Sequence, residues 1–169
     1  MLLQSALVWS VGLVVGPALL IGVERARGLG RVDALHQPVA AGCVFLVCSI
    51  VNLTTGFVLA VRGRGTPLPL ACPRELVVAG PYRYVRNPMA IAGVGQGISV
   101  ALWFGSALTL LYAVSGAFVW HVLVRPSEEA DLRARFGKAY EIYKAAVPLW
   151  WPRMRAISIP SQEANEPRS

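Results

Sequence analysis

Three long runs without a charged residue alternate with polar segments along the chain, at residues 2–23, 38–61 and 88–124. A helix needs about 20 consecutive apolar residues to cross a bilayer, so each of the first two runs predicts one membrane span. The third run is too long for one helix and predicts two short ones, with the break at residues 103–106. The pattern therefore predicts an all-α integral membrane protein with about four transmembrane helices, of which the last two form a helical hairpin.

A different periodicity follows the last run, over residues 127–148. Apolar side chains recur there at steps of three and four residues, which predicts an amphipathic helix with one charged face. The members of this apolar stripe are Leu132, Phe136, Tyr140, Tyr143 and Val147. Gly137 interrupts the helix at a cost of about 1 kcal/mol relative to alanine, so we expect a packing reason for it. From residue 156 onward the polar, aperiodic sequence predicts a disordered tail.

Composition and charge are typical of a membrane protein and disfavour a nucleic-acid-binding one. The 169 residues are 55% hydrophobic and 15% charged, whereas about 25% of the residues in soluble domains are charged. The net charge of +7 comes from basic residues between and after the apolar runs, where such residues set the orientation of spans. Placing both termini and residues 62–87 in the cytoplasm puts thirteen of the sixteen basic residues inside. Three cysteines without a metal-binding spacing predict neither a metal site nor a disulfide framework.

Candidate functional residues concentrate in two polar strips that flank the predicted hairpin, at residues 74–89 and 121–132. Since a hairpin brings its two ends together, we expect the strips to be neighbours at the cytoplasmic surface. Taken alone, Arg86 is better explained as a membrane anchor, and Glu128 and Glu129 are explained equally well by a position in the first turn of a helix. His121 is an ionisable residue in an apolar run, which indicates either a functional site or a hydrogen-bonded histidine near the end of a span.

The first strip carries Leu-Val, Gly-x-Tyr and Arg-Asn-Pro, and the sequence after the hairpin carries Glu-Glu-x-x-Leu, Phe-Gly-x-x-Tyr-x-x-Tyr and Val-Pro. In order and spacing this set resembles the isoprenylcysteine carboxyl methyltransferase family and, more loosely, the phosphatidylethanolamine N-methyltransferases. The resemblance covers residues 62–153, over half of the chain. The motifs occupy Leu76, Val77, Gly80, Tyr82, Arg86, Asn87, Pro88, Glu128, Glu129, Leu132, Phe136, Gly137, Tyr140, Tyr143, Val147 and Pro148.

The resemblance implies an integral membrane enzyme that takes a methyl group from S-adenosylmethionine without a dinucleotide-binding domain. It divides the chain into two N-terminal transmembrane helices (residues 1–61), a methyltransferase-like core (62–155) and the tail (156–169). Transferred residue by residue, it implies cofactor contacts at Arg74, Glu75, Leu76, Val77, Tyr82, Arg86, Asn87, Pro88, Met89, Ala90, Glu128 and Glu129. Arg125 and His121 are the candidate catalytic residues. For an amine acceptor, His121 or Glu129 would be the nearest base.

The acceptor that the resemblance implies is a lipophilic small molecule or a lipidated one, which reaches the site from the surrounding membrane lipids. Three positions depart from the family pattern. Asn87 replaces the histidine of the eukaryotic carboxyl methyltransferases, and Ala90 stands where the family usually has tyrosine. Arg125 precedes the acidic pair by three residues instead of four. A carboxyl acceptor and an amine acceptor therefore both stay open, as does the oligomeric state.

Two other functions remain alternatives at the level of the sequence. Some membrane sterol reductases share the hairpin-and-tail organisation but use NADPH, whose 2′-phosphate the adjacent carboxylates of Glu128 and Glu129 would repel. A non-catalytic membrane scaffold is the other alternative, and the missing tyrosine at position 90 is its main support.

Overall fold

A computed structural model describes residues 11–29, 31, 37–63 and 75–157, and every regular element within these ranges is helical. The predicted all-helical class is therefore confirmed. Arg74, the first ten residues and residues 158–169 lie outside the described residues. The α-helices are α1 (Gly16–Ala26), α2 (Gln37–Arg62), α3 (Pro88–Phe104), α4 (Ala107–Val119) and α5 (Arg125–Ala146). A π-helix at Val11–Val15 precedes α1, a 3₁₀ helix at Gly80–Arg83 precedes α3, and a second π-helix at Trp120–Val124 joins α4 to α5.

Two of the described helical stretches are long and apolar enough to cross a membrane. They are α2 and the continuous stretch Ala107–Ala146, which contains the strongly apolar α4. Only 6% of the most apolar window of α2 is buried inside the protein, so this helix presents apolar side chains outward, as a helix surrounded by lipid does. These helices indicate association with a membrane. The apolar α3 is shorter, with 17 residues, and a topology of four spans stays a prediction.

The chain divides into two compact units, and the first consists of residues 1–50 and 90–120. Its central feature is the helical hairpin of α3 and α4, whose turn at Gly105–Ser106 confirms the break predicted at residues 103–106. The Ser106 Oγ accepts a hydrogen bond from the Thr109 amide at 3.0 Å and so caps the first turn of α4. The Leu108 amide, which has no partner within the first turn of α4, donates to Glu24 Oε1 at 2.7 Å. Side chains thus satisfy donors that a helix N-terminus leaves without partners.

Small and polar side chains hold the helices of the first unit together. A Cβ added at Gly97 would lie 3.0 Å from the Cβ of Ala113, so glycine lets α3 and α4 approach closely. Between α2 and α3, the buried Gln96 amide donates to Ser49 Oγ at 2.9 Å. Close backbone approach and hydrogen bonds between helices are the usual sources of stability where lipid replaces water around a helix bundle.

The second unit consists of residues 51–89 and 121–169, and residues 76–79, which lie outside any helix and are extended at Ala79, contribute to both of its apolar clusters. Successive side chains of an extended segment point to opposite sides. On one side, Val77 and Ala79 are buried with Leu59 in a first cluster. On the other side, Leu76 and Val78 pack against a second cluster, formed by Tyr140, Tyr143 and Val147. The segment therefore carries apolar side chains of both clusters.

A glycine turn leads the chain from this segment towards α3. Gly80 has a φ of +53°, which side chains with a Cβ rarely adopt, and an added Cβ would lie 3.0 Å from Val58 Cγ2. Pro81 follows at the start of the 3₁₀ helix, a position that needs no amide donor. The Gly-Pro-Tyr sequence is thus explained by a sharp turn against α2.

A helix over most of residues 127–148 is present as α5, while its amphipathic character stays a prediction. All five members of the apolar stripe belong to the second cluster or pack against it. Gly137 itself has φ 49° and ψ −123°, a conformation outside the helical region that kinks α5. This glycine therefore has a conformational reason, since only glycine adopts such angles without strain, and the expected packing reason stays a prediction.

The C-terminal segment after α5 returns to the turn around Gly80–Arg83. The amide of Arg153 donates to the Tyr84 carbonyl at 2.9 Å, and the amide of Ile157 donates to the Arg83 carbonyl at 3.2 Å. The Arg83 Nε donates in turn to the Ile157 carbonyl at 2.7 Å, and the side chain of Ile157 packs against the second cluster. Ordered contacts thus continue at least to Ile157, two residues beyond the predicted end of the core.

Substitution of Gly137 by alanine should destabilise the protein by about 1–3 kcal/mol, because the side chain would be held at strained backbone angles. Gly116→Ala is the matched control, since Gly116 lies within α4 and no atom lies within 4 Å of its added Cβ. We expect Gly137→Ala to lower the melting temperature in detergent and Gly116→Ala to leave it unchanged or raise it. Equal melting temperatures for the two variants would show that the backbone angles at position 137 do not require glycine.

Candidate functional site

The two polar strips predicted to be neighbours contact each other within the second unit. Arg86 of the first strip donates from NH1 to Glu129 Oε1 of the second strip at 2.9 Å. The side chains of these two residues are only 12% and 13% exposed. An ion pair with this little solvent is screened weakly, and loss of one partner leaves a buried charge without compensation. The pair therefore fixes the loop before α3 to the N-terminal part of α5.

Arg86 makes two further bonds, both to the segment that follows α5. Its Nε donates to the Val147 carbonyl and its backbone amide donates to the Pro148 carbonyl, each at 2.9 Å. Val147 itself is completely buried. One arginine thus connects the first strip with both ends of α5, and its donors are directed at the protein itself.

Glu129 is surrounded by positive charge. Besides Arg86, the Lys144 Nζ donates to Glu129 Oε2 at 2.7 Å, and Arg125 NH1 lies 3.9 Å from Oε1. Burial by itself would raise the pKa of Glu129. The hydrogen bond from Lys144 and the charges of Arg86, Lys144 and Arg125 outweigh that effect and hold the pKa below its usual range. Glu129 is therefore a stable carboxylate and a poor proton acceptor.

Glu128 has the opposite environment. Burial, together with the neighbouring negative charge of Glu129, raises its pKa to about 7. In the described part of the chain no cation forms an ion pair with Glu128. The nearby Tyr82 phenol responds to it, since burial and then the charge of Glu128 raise the Tyr82 pKa well above its usual value. Glu128 is thus a largely buried carboxyl group that would gain stability from a positively charged ligand.

The backbone around Tyr82 is held by a tyrosine of α5. The Tyr143 hydroxyl, which lies in the second cluster, donates to the Tyr82 carbonyl at 2.9 Å. Burial raises the pKa of Tyr143, followed by the influence of Tyr82, so this hydroxyl keeps the proton that it donates. Tyr82 is thereby fixed beside Glu128 from a second direction.

The remaining residues of the predicted cofactor set have different surroundings. Leu76 and Val77 direct their side chains into the two apolar clusters, which leaves their backbone for polar contacts. Pro88 is fully buried, and Met89 packs against the first cluster. Glu75 and Asn87 are partly buried. Ala90 belongs to the first unit, and Arg74 lies outside the described residues.

The two predicted catalytic residues lie one turn apart. His121 is in the π-helix Trp120–Val124, where its Nδ1 receives a hydrogen bond from Trp150 Nε1 at 3.2 Å. Arg125 begins α5, and its Nε is buried without a hydrogen-bond partner among the described residues. Sequence reasoning missed Trp150 and Lys144 as parts of this arrangement. No local signal distinguishes Lys144 from other basic residues of α5, and Trp150 adjoins a second tryptophan that is exposed.

Comparison with known proteins identifies a family for the region that contains this site. The sequence profile of the family described as phospholipid methyltransferase matches residues 38–139. That range begins at the second residue of α2 and extends through most of α5. No curated protein and no solved structure gives a significant match to the chain.

The two adjacent glutamates should change stability in opposite directions when each is replaced by glutamine. A carboxyl group with a raised pKa in the folded state contributes stability that is complete below its ordinary pKa and is lost as the pH rises through the folded value. For Glu128 this loss lies between about pH 4.5 and 7. Glu128→Gln should therefore increase the free energy of unfolding of the cofactor-free protein at pH 8 by up to about 3 kcal/mol and so raise its melting temperature. At pH 4.5 the melting temperature should be nearly unchanged.

Glu129 has a lowered pKa in the folded protein. Its carboxylate therefore contributes stability at pH values above the ordinary pKa, and this contribution is lost as the pH falls through the pKa of the folded state. Glu129→Gln should decrease the free energy of unfolding at pH 8 by about 3–5 kcal/mol and so lower the melting temperature, because Arg86 keeps a buried charge without its partner. The destabilisation should shrink in acid. Thermal unfolding in detergent at several pH values measures both effects, and shifts of the same sign for the two variants at pH 8 would contradict the assigned environments.

Proposed function

This chain belongs to the phospholipid methyltransferase family, and we propose that it transfers a methyl group from S-adenosylmethionine to a lipophilic or lipidated acceptor in the membrane. The observation that carries the proposal is the environment of Glu128. A largely buried carboxyl group without a cationic partner is costly, and its presence in the family-matched region indicates a ligand that supplies positive charge. S-adenosylmethionine, with a sulfonium and an ammonium group, has the required charge, so the residues present fit this cofactor.

We assign different roles to the residues of the predicted cofactor set. Glu128 and Tyr82 are the side chains that we expect at the cofactor, with Leu76 and Val77 contributing backbone groups. Asn87, whose backbone is biased away from the α region by Pro88, stands directly before α3 at the end of the first strip. Arg86 and Glu129 support the site by fixing its loop to α5, since their charges already compensate each other.

The chain contributes alignment and exclusion of water more than proton chemistry. S-adenosylmethionine, held by Glu128, Tyr82 and the backbone of residues 76–77, would supply an electrophilic methyl group and a neutral thioether as the leaving group. The two apolar clusters on either side of residues 76–79 keep water from the backbone of the strip. A fixed, dry site of this kind supplies several kcal/mol of a displacement barrier.

We further propose that the chain crosses the membrane four times, with both termini and the site on the cytoplasmic side. Thirteen of the sixteen basic residues lie on the inner side in this arrangement, in agreement with the distribution that governs membrane topology. In that case the acceptor enters from the bilayer, and membrane lipids are the natural source of acceptors.

Glu128→Gln should weaken the binding of S-adenosylmethionine about 10- to 100-fold at pH 8, because the cofactor loses its charged partner. Wild-type affinity should rise between pH 6 and pH 8 as Glu128 loses its proton, and the variant should lack this rise. Isothermal titration calorimetry on detergent-solubilised protein measures both effects. Glu141→Gln is the matched control, since Glu141 is half exposed and pairs with Arg133 on the surface of α5.

Titration with S-adenosylhomocysteine identifies the group that Glu128 meets, because this product keeps the ammonium but lacks the sulfonium. Equal losses for the two ligands indicate the ammonium, and a loss for S-adenosylmethionine alone indicates the sulfonium. Unchanged affinity for both ligands in Glu128→Gln would remove the basis of the proposed site. Binding of NADPH in place of either ligand would favour the reductase alternative.

Methyl transfer should label lipid-soluble products. With radiolabelled S-adenosylmethionine and membrane extracts, we expect the label in the organic phase, and we expect little labelling of water-soluble metabolites. Glu128→Gln protein at a cofactor concentration that saturates only the wild type serves as the control for background transfer. Label confined to the aqueous phase would refute a lipophilic acceptor.

A further inference from the structure

The contact between His121 and Trp150 determines which nitrogen of the imidazole carries the proton. Trp150 Nε1 lies 3.2 Å from His121 Nδ1, and the two rings are 5.8 Å apart with a tilt of 35°. An indole nitrogen is only a donor, so Nδ1 is the acceptor. The neutral imidazole then carries its single proton on Nε2. Among the described residues the imidazole of His121 makes no other hydrogen bond, so the Nε2–H group is available to a ligand.

We propose that Trp150 is a positioning residue that holds His121 as the Nε2–H tautomer, so that His121 binds the acceptor as a hydrogen-bond donor and does not act as a base. This inference rests on the proposed function and deepens it. The only lone pair of the neutral ring is already used by the indole. A proton from an amine therefore has no place on His121 unless the bond to Trp150 breaks. The base role expected for His121 from the sequence is replaced by a binding role.

Two observations place this donor in a setting suited to an anionic oxygen. His121 lies in a π-helix, and π-helical segments are rare and occur frequently at functional sites. One turn further, the Nε–H of Arg125 is buried without an acceptor in the described part of the chain. The two neighbouring groups offer donors only. We therefore infer that the ligand atom at this place is an oxygen acceptor, and the positive charge of Arg125 favours an anionic one, as a phosphate or a carboxylate of the acceptor would supply.

The tautomer is tested by NMR, independently of any enzyme activity. The chain has two histidines, so His36→Gln leaves His121 as the single histidine for ¹⁵N labelling. We expect the Nε2–H tautomer to predominate in this protein and a mixture of tautomers to appear in Trp150→Phe, which keeps a ring but lacks the N–H donor. Trp151→Phe is the matched control, since Trp151 is 82% exposed, and it should leave the spectrum unchanged. A predominant Nδ1–H tautomer, or no change in Trp150→Phe, would overturn the proposal.

Kinetics separate a donor from a base. His121→Gln keeps an N–H donor but takes up no proton, whereas His121→Phe lacks both properties. We expect His121→Gln to stay within about threefold of wild type, and His121→Phe to raise the KM for the acceptor about 10- to 100-fold with little change in kcat. A fall of kcat by about 100-fold or more in both variants is the signature of a lost base and would refute the donor role.

Inhibition by single-chain amphiphiles of equal length identifies the anion. An alkyl phosphate, a fatty acid and an uncharged fatty alcohol are compared as competitors of methyl transfer. Stronger competition by the phosphate identifies a phosphate-bearing acceptor, and stronger competition by the fatty acid identifies a carboxylate. Equal competition by the alcohol would overturn the anion subsite. If no acceptor is methylated at all, the proposed function fails, while the NMR experiment still decides the tautomer.

Discussion

A guanidinium group that is almost completely removed from water needs an acceptor for its donors, and the way Arg86 meets this need determines the second unit. Its side chain binds the Glu129 carboxylate and the Val147 carbonyl, and its backbone amide binds the Pro148 carbonyl. These partners belong to the N-terminal part of α5 and to the residues directly after its end. The loop before α3 is therefore fixed against the whole length of α5 by one residue.

The acidic pair that follows the hairpin shows how position alone gives two identical side chains different chemistry. Glu129 faces three cations and stays ionised, so its charge serves the stability of the fold. Glu128, one residue away, is largely buried beside Tyr82 and shares none of those cations. The fold thus uses one carboxylate to neutralise its own buried charge and leaves the other for a ligand. Such separation of paired titratable groups is a frequent feature of functional sites.

Much of the helical organisation could be predicted from local sequence, because it depends on local signals. The break at residues 103–106 and the helix over most of residues 127–148 are of this kind, and both are confirmed. Contacts between distant residues carry no such signal. Lys144 pairs with Glu129 across 15 positions and Trp150 with His121 across 29. The different environments of the two glutamates, and the tautomer that we propose for His121, could therefore not be predicted from the sequence. The sequence indicates only that Gly137 is unusual within a helix, and it does not predict the backbone angles that kink α5 there.

At residues 76–79 the number of residues matters as much as their type, because alternate side chains enter different apolar clusters. Odd positions, Val77 and Ala79, enter the first cluster, and even positions, Leu76 and Val78, contact the second. An insertion or deletion of a single residue here would exchange the two sets, so that each cluster would receive side chains shaped for the other. A change of two residues would preserve the alternation. Length variation at this segment should therefore be tolerated only in even steps, a rule of parity that a helical protein would not otherwise be expected to obey.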